Sequence, residues 1–215
     1  VATAAGNLLQ RPRCWYYRQG FGLFAKKDGK SLIREGDNRY HAIFGNSGDA
    51  LFVHPSSLAP GLIALGATIT VQGKGGSRDI AAADFFQTPK SESDRETTMK
   101  PHEVITSVSI PIQGLKNATY EIRQRKGLDW PMVAATVAFK AGGSVSDARV
   151  VLGHVAPTPW RSSAAESALN GKSAADGAAA AGAAAAQGAT PLSMNGYKVH
   201  QVKVAVKRAI QAASA

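Results

Sequence analysis

Apolar positions in the second half of the chain alternate or run together over short stretches bounded by glycine. Ala118 to Arg125, Met132 to Phe139 and Ala148 to Val155 read as three strands, with Gly142-Gly143 as the hairpin turn between the second and third. The period then changes. Arg161 to Leu169 reads as a helix, and Tyr197 to Ala212 places Val199, Val202, Val206, Ala209 and Ile210 on one helical face, with Lys203, Lys207 and Arg208 elsewhere. Between them, Ser173 to Gln187 is alanine-rich. It is either a close-packing helix weakened at Gly177 and Gly182 by about 1 kcal/mol each, or a linker with little apolar area to fix it.

The first half carries weaker signals. Asp49 to Val53 reads as a short strand. Ser56 or Ser57 caps a helix whose stripe is Leu58, Leu62, Ile63 and Leu65, and Gly66 ends it. Ala67 to Val71 alternates as a strand, Lys74-Gly75-Gly76 is a turn, and Arg78 to Phe86 reads as a short helix carrying Phe85 and Phe86 inward. Thr88 to Pro101 is polar and loop-like. Glu103 to Ile110 is a strand stopped by Pro111. Residues 15–37 read as irregular, with a helical turn near Tyr16. Gly114 to Asn117 is the best boundary, dividing the chain into an α+β lobe at 1–112 and a lobe of three antiparallel strands and three helices at 118–215.

Composition narrows the class. The 215 residues are 44% hydrophobic and 19% charged, which describes a globular chain. No apolar run reaches the roughly 18 residues of a membrane span, and Val1 to Ala5 lacks the pattern of a signal peptide. The net charge of +10 comes from scattered Lys and Arg without a nucleic-acid-binding signature, so it fits an acidic partner or a phosphate-bearing cofactor better than nucleic acid. Cys14 is the sole cysteine, so no internal disulfide forms.

No catalytic constellation is visible. His41, His54, His102, His154 and His200 have no metal-ligand spacing, and each reads as structural, with His54 and His154 fixing turns. Cys14 has no evident His partner and reads as a small buried apolar residue. The most suggestive stretch is the first dozen residues. Ala2, Ala4, Ala5 and Gly6 allow close backbone approach, and Gly6-Asn7 suits a turn with φ > 0 that presents N–H groups to an anion or a ring. Trp130, held extended by Pro131, either stacks on a ring ligand or packs under the sheet.

Thr3-Ala4-Ala5-Gly6-Asn7-Leu8-Leu9-Gln10-Arg11-Pro12-Arg13-Cys14 resembles the T-x-G-G-N-L-x-Q-R-x-R-C segment of flavin-binding subunits in the xanthine dehydrogenase, or molybdenum hydroxylase, family. Asn38 to Gly45, His54 to Ala59, Ser107 to Pro111, Tyr120 to Arg125 and Gly153 to Arg161 resemble further segments of that family in the same order. The chain departs from the pattern at Ala5, in place of a glycine, at Ser57, in place of an aspartate, and at Glu121, where relatives often have Lys.

The resemblance implies an α+β fold: the second half of a vanillyl-alcohol-oxidase-type FAD-binding domain, then a C-terminal domain of a three-stranded antiparallel sheet with a three-helix bundle. It implies FAD as cofactor, with Thr3, Ala5, Gly6, Asn7 and Leu9 along the flavin and pyrophosphate, Ser56 and Ser57 near the ring or ribityl chain, Ile105 against the ring and Trp130 stacking on it. It also implies a molybdopterin-binding large subunit and a small subunit with 2Fe–2S clusters as partners. An α/β segment with the pyrophosphate loop is expected to precede this sequence or to form a separate chain. One branch of the family binds a cluster in the region of residues 15–50; with Cys14 alone, none is expected here. The implied role is electron transfer from those clusters through FAD to an external acceptor, with a non-flavin docking scaffold as the alternative. The compartment expected is the cytoplasm, or the periplasm if exported with a partner.

Overall fold

The computed structural model describes residues 3–215; Ala2 lies outside them. The first elements are short: α1 (Ala4–Leu8), α2 (Trp15–Arg18), a hairpin of β1 (Lys26–Lys27) and β2 (Lys30–Ser31), and α3 (Leu32–Glu35). A long irregular strap follows and leads into α4 (Ala59–Ala64). The strand expected at Asp49 to Val53 does not form. Those residues belong to a strap whose backbone pairs singly with other segments: Ala42 N–H donates to Leu51 O, and His54 N–H to Ala156 O, each at 2.9 Å.

Beyond Gly66, whose φ of 68° ends the α4 turn as expected, β3 (Thr68–Gly73) is the centre of an antiparallel sheet ordered β4-β3-β5. β4 (Gly76–Ala81) occupies part of the segment read as helical from Arg78. Only α5 (Ala82–Phe85) is helical there, because Ile80 turns inward beside Ile69 while its neighbours face out. β5 (Val104–Ser109) pairs on the other side of β3. Leu8, Leu62, Ile69, Val71 and Phe85 close the core of this lobe.

The second lobe is built on β6 (Lys116–Ile122), β7 (Val133–Lys140) and β8 (Ser146–Gly153), antiparallel in that order. A two-residue strand, β9 (Trp160–Arg161), extends the three-stranded sheet beside β8. β7 is buried along all but its last residue because both of its faces are covered. α6 (Ser163–Leu169), α7 (Ala174–Ala185) and α8 (Tyr197–Ser214) pack Leu169, Ala178, Val202 and Val206 on one face. On the other face, Ala64 at the end of α4 meets Ala138 and Val151. The strap crosses into this lobe as well: Ile43 and Phe44 join its core, and Phe44 stacks on Trp160 at 5.3 Å.

The alanine-rich stretch is a packed helix rather than a linker. A Cβ on Gly182 would lie 2.5 Å from Lys203 O on α8, closer than any real contact allows. Small side chains here let two backbones meet and so replace the apolar area that alanine lacks. Gly182→Ala therefore sets two effects against each other: about 1 kcal/mol of gained helix propensity and about 1–3 kcal/mol of overpacking. The contact wins, and the denaturation midpoint falls. A midpoint unchanged or raised would mean that α7 does not pack on α8 this closely.

Candidate functional site

The amino-terminal segment forms a short helix, not a φ > 0 turn. Thr3 Oγ1 accepts from Gly6 N–H at 2.9 Å and caps α1, and Gly6 has no positive φ. The glycine serves space instead: a Cβ there would sit 3.1 Å from the capping oxygen. Asn7 is the anchor. Its Oδ1 accepts from Ser56 Oγ at 2.7 Å and from Leu58 N–H at 3.3 Å, while Ser56 Oγ accepts from Ala59 N–H at 3.0 Å at the start of α4. Ser56 is buried, so these bonds are shielded from water and fix the Asn7 amide. The amide nitrogen of Asn7 remains without a partner among the described residues and is the donor this junction offers outward.

Thr3 and Gly6 are exposed, Ala5 is half-buried, and Leu9 keeps 39% of its surface in solvent, so no bulky side chain covers this backbone. Ile105, half-buried on β5, packs against the same core as Leu8. Ser57 turns away from Asn7, its Oγ 3.5 Å from His154 Nε2. Trp130 lies elsewhere, 44% exposed, at the side of a cavity between the lobes. It is therefore not a core residue under the sheet, and the Arg13 guanidinium lies on its ring, 3.4 Å from the centroid.

This cavity measures about 350 Å³ and is lined from the first lobe by Arg13, Cys14, Trp15, Arg18, Tyr40 and His41, and from the second by Asp129, Trp130, His154 and Lys198. Pro55 also lines it, next to Ser56, so the strap has the Asn7 junction on one side and the cavity on the other. Cys14 does have a histidine partner: its Sγ is 3.1 Å from His41 Nε2. It is half-buried rather than fully enclosed. Burial pushes the thiol pKa up and, with the Lys198 charge as the lesser cause, lowers that of His41 to about 4. Both are neutral near pH 7, which is not the thiolate–imidazolium state of a nucleophile.

Lys198 is buried, and its ammonium donates to Tyr40 O at 3.1 Å, His41 O at 3.2 Å and His154 O at 2.9 Å. Burial lowers its pKa to about 7. Sequence reading did not single it out. The signal available was its register, four residues before Val202 on the apolar face of α8. His54 and His154 do sit at turns. His54 Nδ1 accepts from Ser56 N–H at 3.3 Å, and His154 has a φ of 63°.

Comparison with known proteins agrees with this architecture. Residues 1–113 match the model of the FAD binding domain in molybdopterin dehydrogenase, and residues 118–213 match that of the CO dehydrogenase flavoprotein C-terminal domain. The chain belongs to the FAD-binding medium subunits of the carbon monoxide dehydrogenase and aldehyde oxidoreductase family. It is 35% identical to the aldehyde oxidoreductase FAD-binding subunit PaoB of Escherichia coli K12 over 79% of this chain and 54% of that protein. It is 34% identical to the carbon monoxide dehydrogenase medium chain of Hydrogenophaga pseudoflava over 68% of this chain and 50% of that one. The chain thus spans about half the length of these relatives. Among solved structures it is similar to the H. pseudoflava carbon monoxide dehydrogenase lacking the Mo-pyranopterin moiety, with a TM-score of 0.64 and 30% identity over 74% of this chain and 56% of that one. Quinoline 2-oxidoreductase from Pseudomonas putida 86 gives the same TM-score and coverage at 29% identity. Among the described residues, no helix of this family member is long and apolar enough to cross a membrane.

The buried imidazoles set an acid limit on the fold. His41 and His54 have pKa values lowered to about 4, and His154 to about 3, each chiefly by burial. In the unfolded chain they titrate near 6.5. Above that value both states are neutral and stability is unaffected. As pH falls below it, the unfolded chain takes up protons that the folded chain refuses, and stability falls. Three such groups give a limiting slope of about 4 kcal/mol per pH unit. Urea unfolding at pH 7, 6 and 5 should show a steep loss across this window. A flat profile would mean that these rings are not buried and neutral.

Proposed function

We propose that this chain is the FAD-binding electron-transfer subunit of a molybdenum hydroxylase, receiving electrons from an iron–sulfur small subunit and delivering them to an external acceptor. In this reading residues 1–112 are the carboxyl-terminal half of an FAD domain and residues 118–215 its C-terminal domain. The partners are the small subunit with its 2Fe–2S clusters, a molybdopterin-binding large subunit where substrate is oxidised, and an α/β segment that completes the flavin crevice. The names of the relatives support this, since one is called an FAD-binding subunit and another a medium chain.

The observation that carries the reading is the Asn7 junction. Ser56 and Leu58 hold the Asn7 carbonyl oxygen, which leaves its amide donors without a partner among the described residues, on a helix whose own residues are small and largely exposed. Those donors suit the carbonyl and phosphate oxygens of a flavin nucleotide. Thr3, Ala5, Gly6 and Leu9 would line the cofactor, with Ser57 and Ile105 beside it. The free face of Trp130 is the one left for stacking. Bound FAD supplies the redox chemistry that these side chains lack. The chain's own task is to hold the cofactor and keep water from it.

Asn7→Asp separates the two roles of this side chain. The aspartate keeps an acceptor for Ser56 and Leu58 but replaces the outward donors with a charge. When the chain is purified with its partner subunits, the variant should fold, and its flavin content, read by visible absorbance, should reflect at least about tenfold weaker binding, or 1.4 kcal/mol. Full flavin occupancy in the folded variant would remove Asn7 from the cofactor site. A complex that lacks flavin even with wild-type chain would favour the scaffold role.

A further inference from the structure

The bonds that hold Lys198 do not cancel its charge. Its three acceptors, Tyr40 O at 3.1 Å, His41 O at 3.2 Å and His154 O at 2.9 Å, are all neutral. Three carbonyls on three donors favour the protonated form, and they solvate the ion without neutralising it. Asp129, the acid in the lining of the cavity, is turned to its own loop, where it accepts from Arg125 N–H at 3.2 Å and faces the Arg125 guanidinium at 3.9 Å. Burial, and after it the Lys198 charge, lowers the pKa of both His41 and His154, so the field of this ammonium reaches two residues of the lining.

Lys198 and Trp130 line the same cavity of about 350 Å³, so a ring held against the free face of Trp130 lies close to the charge. Buried His41 Nδ1, without a hydrogen-bond partner, leaves that wall a polar atom for such a ring. Arg13 and Arg18, at the opening, are exposed, and water and salt screen them. Lys198 is buried, and a charge in the interior acts on its surroundings with far less screening. A flavin that takes up two electrons and one proton gains one net negative charge. A fixed cation nearby therefore favours the reduced form.

We propose that Lys198 sets the reduction potential of the flavin, its buried charge raising the affinity of the bound cofactor for electrons. This rests on the reading in which the flavin ring stacks on the free face of Trp130. The two electrons are those delivered by the iron–sulfur partner, and the proton comes from solvent. Lys198 acts through its field and not through a bond to the ring, because each of its donors is already used.

The test is spectroelectrochemical titration of the flavin in the chain purified with its partner subunits. It is made at about pH 6.5, below the pKa of about 7 to which burial lowers Lys198, so that the ammonium predominates. Lys198→Met removes the charge. Lys198→Gln also removes it but keeps amide donors for the carbonyls, and serves where the methionine variant does not fold. Lys198→Arg keeps the charge. In the uncharged variants the reduction equilibrium of the bound flavin should shift about tenfold toward the oxidised form, a potential lower by about 30 mV for a two-electron couple. Lys198→Arg should stay close to the wild type. Visible absorbance reads flavin content separately, and circular dichroism checks folding. A lysine that only joined the lobes would change stability or flavin content and leave the potential of the retained flavin where it was. An unchanged potential in a folded, uncharged variant would therefore overturn the proposal, as would an equal drop in Lys198→Arg; neither result touches the reading that this chain binds flavin. A wild-type complex without flavin would overturn both.

Discussion

The Lys198 ammonium is the constraint on which the centre of the molecule depends. Moving a charge of this size into the interior costs several kcal/mol even after relaxation. The cost is tolerable only because each of its three donors meets a carbonyl oxygen. Those carbonyls belong to Tyr40, His41 and His154, so one side chain on the last helix holds the strap of the first lobe and the left-handed turn after β8 together. Neighbouring asparagines extend the arrangement. Asn195 Nδ2 donates to His41 O at 3.1 Å, and Asn46 Nδ2 donates to Thr190 O at 2.8 Å. The strap from Asn38 to Pro55 thus has little regular structure and little freedom. It positions Tyr40, His41 and Pro55 along the cavity, and Ser56 against Asn7.

This dependence explains what the sequence disclosed. The strands and helices of the second half were legible because each buries a long apolar face whose period is local. The strap was not, because the backbone bonds that tie it to the second lobe span more than 100 residues: Ile43 N–H donates to Val155 O, and Thr190 N–H to Ile43 O. Asp49 to Val53 looked like a strand because its apolar residues run together. Its apolar residues are buried, but under loops rather than in a ladder. β4 was mistaken for helix because Gly76 to Ala81 buries only Ile80 well, and six paired residues across β3 decided its conformation.

The two candidate sites differ in the same way. Asn7 and Ser56 could be picked out from motifs, and the structure supplies the physical reason for their association, a hydrogen bond across 49 residues of sequence. The cavity could not be picked out. Cys14 meets His41 across 27 residues, and Trp130 meets Arg13 across the lobe boundary. Nothing in the local spacing of these residues signals their convergence. Lys198 was missed too, although its register four residues before Val202 on α8 was a local signal of burial, and a buried lysine must have partners.

The arginines of this fold are used in different ways. Arg161 Nε donates to the buried Glu166 at 2.8 Å, and the same carboxylate oxygen accepts from Val150 N–H at 3.0 Å, which ties β9 to α6 and β8. Arg78 forks onto Glu103 with two bonds of 2.8 Å, and that guanidinium holds the Glu103 carboxyl down to about 2. Arg34 is held without a carboxylate, donating to Asn46 O and Gly48 O, each at 3.1 Å. Arg13 and Arg18 organise nothing comparable. Arg13 covers an indole face, and Arg18 lines the same opening with no carboxylate partner among the described residues. A chain with a formal charge of +10 gains nothing for its folding by crowding two of those charges at one opening. Both are exposed, so water takes the place that a carboxylate fills at Arg78 and Arg161.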